Sequence, residues 1–63
     1  MNQFQRDRRA ILAVLPPDGS RISVAELYLR AGENLGATIR KLIERNVIAR
    51  TEHDGLGYLN IIV

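Results

Sequence analysis

ISVAELYLRAGENLGATIRKLIERNVIARTEHDGLGYLNIIV, residues 22–63, holds most of the information on the fold. Two amphipathic runs stand on either side of a corner within RAGENLGATIRKL, residues 30–42, where two glycines and an asparagine lie close together. Glycine and asparagine are the residues that most readily end a helix or turn the chain. The segment therefore predicts two short helices joined by a tight corner.

The second predicted helix runs from Val24 to about Ala31, because its apolar residues share one face. Ser23 is a good N-cap, Glu26 three residues later completes a capping box, and Gly32 is suited to ending the helix. The third predicted helix has Asn34 as its N-cap and continues to about Arg45. Its inward-facing residues are predicted to be Leu35, Ile39, Leu42 and Ile43.

A first helix is predicted before this segment, from about Gln3 to Leu15, where apolar residues recur at helical spacing. Pro16 and Pro17 end it, because proline lacks an amide donor and restricts the residue before it. Asp18 and Gly19 then form a turn. The side chains expected off the apolar side of this helix are those of Arg6, Asp7 and Arg9.

After the third helix the apolar pattern changes from helical to extended. Asn46 can adopt the left-handed conformation that closes a helix. VIARTE and YLNIIV are two β-prone runs on either side of HDGLG, in which Asp54-Gly55 is a strong hairpin signal. RIS, residues 21–23, adds a short third strand to the hairpin edge. The hairpin is expected to lie against the first and third helices, since a lone two-stranded ribbon is marginal in water.

Composition limits the functions to consider. The 63 residues predict a single domain, 1–63, with an apolar content of 46%. No cysteine is present and His53 is the one histidine, so neither a disulfide nor a metal site is expected. No Walker-type phosphate loop and no carboxylate pair beside a base are present. We therefore expect neither an enzyme nor a cofactor.

Charge and hydropathy patterns bear on partners and location. The net charge is only +2, yet the isoelectric point is about 9.7 and eight of the nine cations are arginine. Arginine suits phosphate and carboxylate because its planar fork donates paired hydrogen bonds. No apolar run approaches the roughly 20 residues that span a bilayer, and the first residues do not resemble a secretion signal. We expect a cytoplasmic protein without a membrane partner.

The order of helix, short strand, helix, corner, helix and hairpin resembles the winged helix-turn-helix fold, including the MarR-like and ArsR-like families. The resemblance rests on SVAELYLRAG, NLGATIRKLIERNVIAR and RTEHDGLGYLNI, which together cover most of the chain. It implies an α+β, mainly α, domain of three helices with a C-terminal hairpin wing. Many bacterial, archaeal and phage regulators share this fold, in which the third helix enters the major groove of double-stranded DNA and the wing touches the backbone or the minor groove.

The resemblance also implies a DNA-contacting surface on and around the third helix. Asn34 would pair with adenine, and Arg40 or Lys41 with guanine or phosphate. The alternatives are a plain N-cap for Asn34 and an exposed pair with Glu44 for Arg40. The residues expected on this surface are Asn34, Ala37, Thr38, Arg40, Lys41, Arg45, Arg50 and Arg21.

Two departures from the family pattern keep a second interpretation open. Gly36 and Ala37 stand where longer side chains would reach bases, and the wing tip carries Glu52 and Asp54 without a cation. A tip that grips phosphate should be basic. The leading hypothesis is a small DNA-binding transcriptional regulator, and the alternative is a winged helix used for protein contact.

Self-association is expected under either hypothesis. One small domain makes few DNA contacts, so a homodimer, or assembly along DNA, is predicted. Leu29 should point outward, because one helix face cannot bury three consecutive residues. The apolar side chains predicted to be exposed to a protein partner are Leu29, Leu56 and Ile62.

Overall fold

The computed structural model describes residues 2–63, which form three helices and one three-stranded antiparallel sheet. Helical residues outnumber strand residues, so the chain is α+β and mainly helical, as predicted. No helix within residues 2–63 has the length and apolar character needed to cross a bilayer. In chain order the elements are α1 (Gln3–Val14), β1 (Ile22–Ser23), α2 (Val24–Ala31), α3 (Gly36–Glu44), β2 (Ile48–His53) and β3 (Leu56–Ile61).

Helix α1 ends within one residue of the predicted position. Its N-cap is Asn2, whose side chain accepts a hydrogen bond from the Gln5 amide at 2.9 Å. In the turn that follows, the Asp18 carboxylate accepts a hydrogen bond from the Ser20 amide at 2.9 Å. The Ser20 hydroxyl and amide lower the pKa of Asp18, because hydrogen bonds of this kind favour the charged carboxylate.

Helix α2 has the bounds that its end signals predict. The Glu26 amide donates to the Ser23 side chain at 3.0 Å, which confirms Ser23 as the N-cap. At the other end Gly32 has a φ of 112°, a conformation that a side chain disfavours. Its amide donates to the Tyr28 carbonyl at 3.0 Å and closes the last turn.

The predicted N-cap of the third helix is wrong by one residue. Asn34 does not cap α3: it has a φ of 63°, so it turns the chain in the left-handed region. The cap position belongs to Leu35, which is buried and makes no side-chain capping hydrogen bond. Burial of Leu35 in the core therefore decides where the helix begins. Asn46, at the far end, has a φ of 59° as predicted.

The sheet has the strand order β1–β3–β2, with β3 between the other two. Ile22 pairs with Leu59, which confirms that the short strand joins the hairpin edge. Asp54 and Gly55 connect β2 to β3 with φ values of 53° and 79°, the two positive φ angles of a type I′ turn. The hairpin packs on α3 through β2, as predicted, and on α2 through β3, whereas the predicted packing on the first helix is not among its main contacts.

The core lies where all three helices meet the inner face of the sheet. Its apolar members are nearly all predicted from helical or strand periodicity. The exceptions among the buried residues are Thr38 and Asp7. Thr38 was expected on an exposed surface but is 5% exposed. Asp7 was expected off the apolar side of α1 but is only 9% exposed. It sits one turn before Ile11 and so shares the buried face. The buried apolar residues are Ile11, Leu15, Leu27, Leu35, Ile39, Leu42, Ile48 and Leu59.

Candidate functional site

Helix α3 exposes one continuous ridge along the side that faces away from the core. Ala37 lies in its first turn, Arg40 and Lys41 in the next, and Glu44 at its end, all exposed. Residues three or four apart on a helix are surface neighbours, so these side chains follow one line. The opposite side of α3 is held in the core by Ile39 and Leu42. The helix is thus fixed by one face and free for contact on the other.

Two cations at the C-terminal half of α3 lie over an aromatic ring of α1. The Lys41 ammonium is 5.4 Å, and the Arg45 guanidinium carbon 4.9 Å, from the centre of the half-buried Phe4 ring. Both separations fall within the range in which a ring face attracts a cation. Phe4 therefore holds these two charges side by side at the edge of the ridge. The contact of Phe4 with these cations could not be predicted from local sequence spacing, because α1 and α3 are distant in sequence.

Thr38 has a structural role at the joint between α1 and α3. It is 5% exposed, and its hydroxyl donates a hydrogen bond to Asp7 at 3.0 Å. The second Asp7 oxygen accepts a hydrogen bond from the Gln3 side-chain amide at 2.9 Å. Thr38 was expected on a DNA-contacting surface, but its side chain is buried and its hydroxyl is already bonded. It fixes the rotation of α3 about its axis.

A cleft of about 290 Å³ lies between α2, α3 and the inner face of the sheet, and we call it the α2–α3 cleft. Exposed charged side chains line it together with apolar and aromatic ones. The charged residues are Arg40 and Glu44 from α3 and Arg50 from β2. The apolar and aromatic residues are Val24, Tyr28, Ile39, Ile43 and Leu59.

Arg50 is held across the sheet beside this cleft. A Cβ added to Gly57 would lie 2.8 Å from Arg50 Nη2 and 3.1 Å from Nε, so the guanidinium covers the glycine. Its Nη1 also lies 3.9 Å from a Glu52 carboxylate oxygen. Arg50 on β2 is the register partner of the buried Leu59 on β3, so both side chains lie on the helix-facing side of the sheet. Arg50 and Arg40 therefore border the same recess.

Arg21 does not join this group. Its guanidinium carbon lies 5.4 Å from the centre of the Tyr58 ring. Tyr58 precedes the buried Leu59 along β3, and successive strand residues point to opposite faces. Arg21 and Arg50 therefore lie on opposite faces of the sheet. Sequence spacing alone did not reveal this separation, because it depends on the register of β1.

Asn34 occupies the exposed corner between α2 and α3, just before the ridge.

The alternative suggested for Arg40, an ion pair with Glu44, is not formed. Within residues 2–63, a basic side-chain nitrogen lies within 4 Å of a carboxylate oxygen in two pairs, Arg50–Glu52 and His53–Asp54. The Arg40 guanidinium therefore has no carboxylate partner within residues 2–63.

The three apolar side chains predicted to be exposed are exposed, but they do not form one patch. Leu29 on α2 is 83% exposed, Leu56 at the hairpin turn 58%, and Ile62 after β3 48%. Leu56 and Ile62 stand at opposite ends of β3, about 20 Å apart at the usual rise of a strand. Leu56 and Ile62 are therefore separate features of the surface.

No group of three His, Asp or Glu side chains is placed to hold a metal ion anywhere in residues 2–63. Comparison of the chain with family models, with curated proteins and with solved structures gave no match. The features of this chain suited to binding a partner are the α3 ridge, the cations beside it and the α2–α3 cleft.

Proposed function

We propose that the protein is a small, sequence-specific DNA-binding protein of the winged helix-turn-helix type, acting in transcriptional regulation. In this proposal α3 lies in the major groove and the β2–β3 hairpin is the wing beside it. The observation that carries the proposal is the exposed ridge of α3, on which Arg40 and Lys41 project from a helix anchored by its other face. The major groove is wide enough to admit an α-helix presented in this way.

The cations around α3 support the proposal electrostatically. Duplex DNA carries a dense negative charge, and each phosphate neutralised by Lys or Arg releases counterions. Lys41 and Arg45 are paired over Phe4, and Arg50 lies across the cleft from Arg40. We assign the phosphate contacts to these four cations. Asn34 remains a candidate for base contact at the start of the ridge.

The small side chain of Ala37 suits a close approach of α3 to the groove. Thr38 and Arg21 have no place on the proposed surface, since the first is buried and the second lies on the far face of the sheet. One domain of this size covers few base pairs, so we also propose that two copies act on paired half-sites. The spacing of those half-sites would follow from the arrangement of the two copies.

Protein docking is the second candidate function, and two observations favour it. The hairpin turn carries the exposed acids Glu52 and Asp54, which a phosphate backbone would repel. The α2–α3 cleft also has apolar walls of a kind that binds side chains from a partner. Failure to bind any duplex, even at low ionic strength, would favour this role over DNA binding.

The test compares two charge reversals in a fluorescence anisotropy titration of a labelled random-sequence duplex. Arg40→Glu with Lys41→Glu places carboxylates on the ridge, whereas Arg6→Glu with Arg9→Glu makes the same change in net charge on exposed positions of α1. We expect the ridge variant to lose binding and the α1 variant to retain it. Equal losses would mean that overall charge, not the α3 ridge, determines affinity.

A further inference from the structure

One buried hydrogen bond joins the first helix to the third. Asp7 Oδ2 accepts it from the Thr38 hydroxyl at 3.0 Å, while Asp7 Oδ1 accepts from Gln3 Nε2 at 2.9 Å. Within residues 2–63 no other hydrogen bond joins two side chains that are distant in sequence. A buried carboxylate is costly without its donors, so Asp7 resists separation from Thr38.

This bond and the apolar core constrain α3 in different ways. Ile39 and Leu42 hold the helix against the core, but the burial of apolar surface has no preferred direction. A hydrogen bond, in contrast, requires a short distance and a nearly straight angle. The bond is therefore the contact most sensitive to rotation of α3 about its axis.

The cations beside the ridge lie on the same side of α3 as this bond. Lys41 and Arg45 follow Thr38 by three and seven residues, so the three side chains form one stripe facing α1. Both cations lie over the ring of Phe4, at 5.4 Å and 4.9 Å from its centre. One stretch of α1 thus holds one side of the ridge.

A small rotation of α3 would affect base contacts far more than phosphate contacts. A helix with its side chains has a radius of about 5–6 Å, so a rotation of about 20° moves an outward side chain by roughly 2 Å. A shift of this size would break hydrogen bonds to a base edge, which are only about 2.7–3.2 Å long. The attraction of a cation to phosphate falls gradually with distance and would persist.

We propose that Asp7 and Thr38 are positioning residues for DNA recognition. Their hydrogen bond sets the rotation of α3, and thereby the base sequence that the ridge prefers, although neither side chain touches DNA. This inference rests on the proposed function, because it concerns how the same helix distinguishes bases. Loss of the bond reduces discrimination between sequences and leaves attraction to the phosphate backbone intact.

The test compares two substitutions of Thr38 on two probes, a random-sequence duplex pool and the duplexes that the wild-type chain enriches from that pool. Thr38→Val removes the hydroxyl donor and keeps the side-chain shape, whereas Thr38→Ser keeps the donor. The readout is the ratio of the binding constants for enriched and random duplex, measured by fluorescence anisotropy. We expect Thr38→Val to lower this ratio by about tenfold or more, the size of one good base contact. Thr38→Ser should keep the wild-type ratio.

Affinity for the random duplex separates positioning from electrostatics. Under conditions in which circular dichroism shows each variant to be folded, Thr38→Val should bind the random duplex as the wild type does. The slope of its affinity against salt concentration should also be unchanged, because no phosphate-contacting cation is lost.

Gly19→Ala is the control for a loss of stability. Gly19 lies in the turn between α1 and β1 with a φ of 86°, and a Cβ there would stand 3.0 Å from Val63 Cγ2. The substitution therefore destabilises the fold at a place other than α3. A smaller folded fraction weakens binding to both probes by the same factor, so Gly19→Ala should keep the wild-type ratio.

Proton NMR of the free protein tests the rotation itself. The side-chain methylene signals of Lys41 and Arg45 report the position of α3 relative to the Phe4 ring. We expect these signals to move in Thr38→Val and to stay in place in Thr38→Ser.

The possible failures are distinguishable. An unchanged ratio in Thr38→Val, an equal loss in Gly19→Ala, or methylene signals that do not move would overturn the positioning role. A wild-type chain that binds every duplex equally would overturn it too, while leaving DNA binding intact. A wild-type chain that binds no duplex would remove the proposed function and this inference together.

Discussion

The hydroxyl of Thr38 donates a hydrogen bond to the carboxylate of Asp7, 31 residues earlier in the chain. Both side chains are buried, and Gln3 supplies the other hydrogen bond that Asp7 accepts. A buried carboxylate that lost one of these donors would keep its desolvation cost without full compensation. This bond therefore connects the orientation of the α3 ridge to the first helix.

Thr38→Val should destabilise the protein by about 1–3 kcal/mol, because it keeps the side-chain shape but leaves an Asp7 oxygen without its donor. Thr51→Val on the exposed part of β2 is the control, and it should change the free energy of unfolding little. Urea denaturation monitored by circular dichroism measures both. A Thr38→Val protein as stable as Thr51→Val would contradict the role of this bond.

Phe4→Leu should release Lys41 and Arg45 from their positions beside α1. Each exposed cation–π contact is worth about 0.5–1 kcal/mol, so we expect a loss of about 1–2 kcal/mol in unfolding free energy. Phe4→Tyr keeps the ring face and should lose much less. In proton NMR spectra, the side-chain methylene signals of both cations should shift upfield in the wild type and return to ordinary values in Phe4→Leu. Ordinary values in the wild type would exclude the stacked arrangement.

Gly57→Ala should displace Arg50 at little cost in stability. The added Cβ would stand 2.8 Å from a guanidinium nitrogen and 3.3 Å from Val24 Cγ2, and the far end of an arginine can move aside while the valine methyl shifts by a few tenths of an ångström. We expect the unfolding free energy to change by less than about 1 kcal/mol and the Arg50 side-chain NMR signal to shift. Gly55→Ala gives the contrast: no atom obstructs it, yet its φ of 79° makes it costly, by about 1–2 kcal/mol. The reverse order of stabilities would refute this account.

Two substitutions at Asn34 test whether its left-handed backbone conformation is required for stability. Because its φ is 63°, Asn34→Gly should keep or raise the stability, whereas Asn34→Ala should lower it by about 1 kcal/mol. Thermal unfolding of the two variants measures the difference. Equal stabilities would mean that the corner relaxes and that the left-handed conformation is not required.

The sequence predicted elements whose signals are local and failed where distant residues decide. The bounds of α2 followed from Ser23 and Gly32, and the hairpin from Asp54-Gly55, because caps and turns depend on adjacent residues. The start of α3 was misplaced because asparagine suits both an N-cap and a left-handed turn. Burial of Leu35 selects the left-handed turn, and this burial depends on tertiary packing.

The candidate site shows the same division. The exposed ridge of α3 followed from helical periodicity, since outward positions are set by spacing alone. The burial of Asp7 and Thr38 did not follow from helical periodicity, because each side chain finds its hydrogen-bond partner on another helix. The separation of Arg21 from Arg50 likewise depends on the pairing of β1 with β3, which no local pattern contains.

The salt dependence of duplex binding tests the central proposal most directly. We would titrate the wild-type chain into a labelled duplex at a series of salt concentrations and plot the logarithm of the binding constant against that of the salt concentration. Phosphate contacts by Arg40, Lys41, Arg45 and Arg50 predict a slope of about −3 to −4 for each bound copy. Absence of binding at about 20 mM salt, or a slope near zero, would contradict the assignment of α3 as a DNA-binding helix.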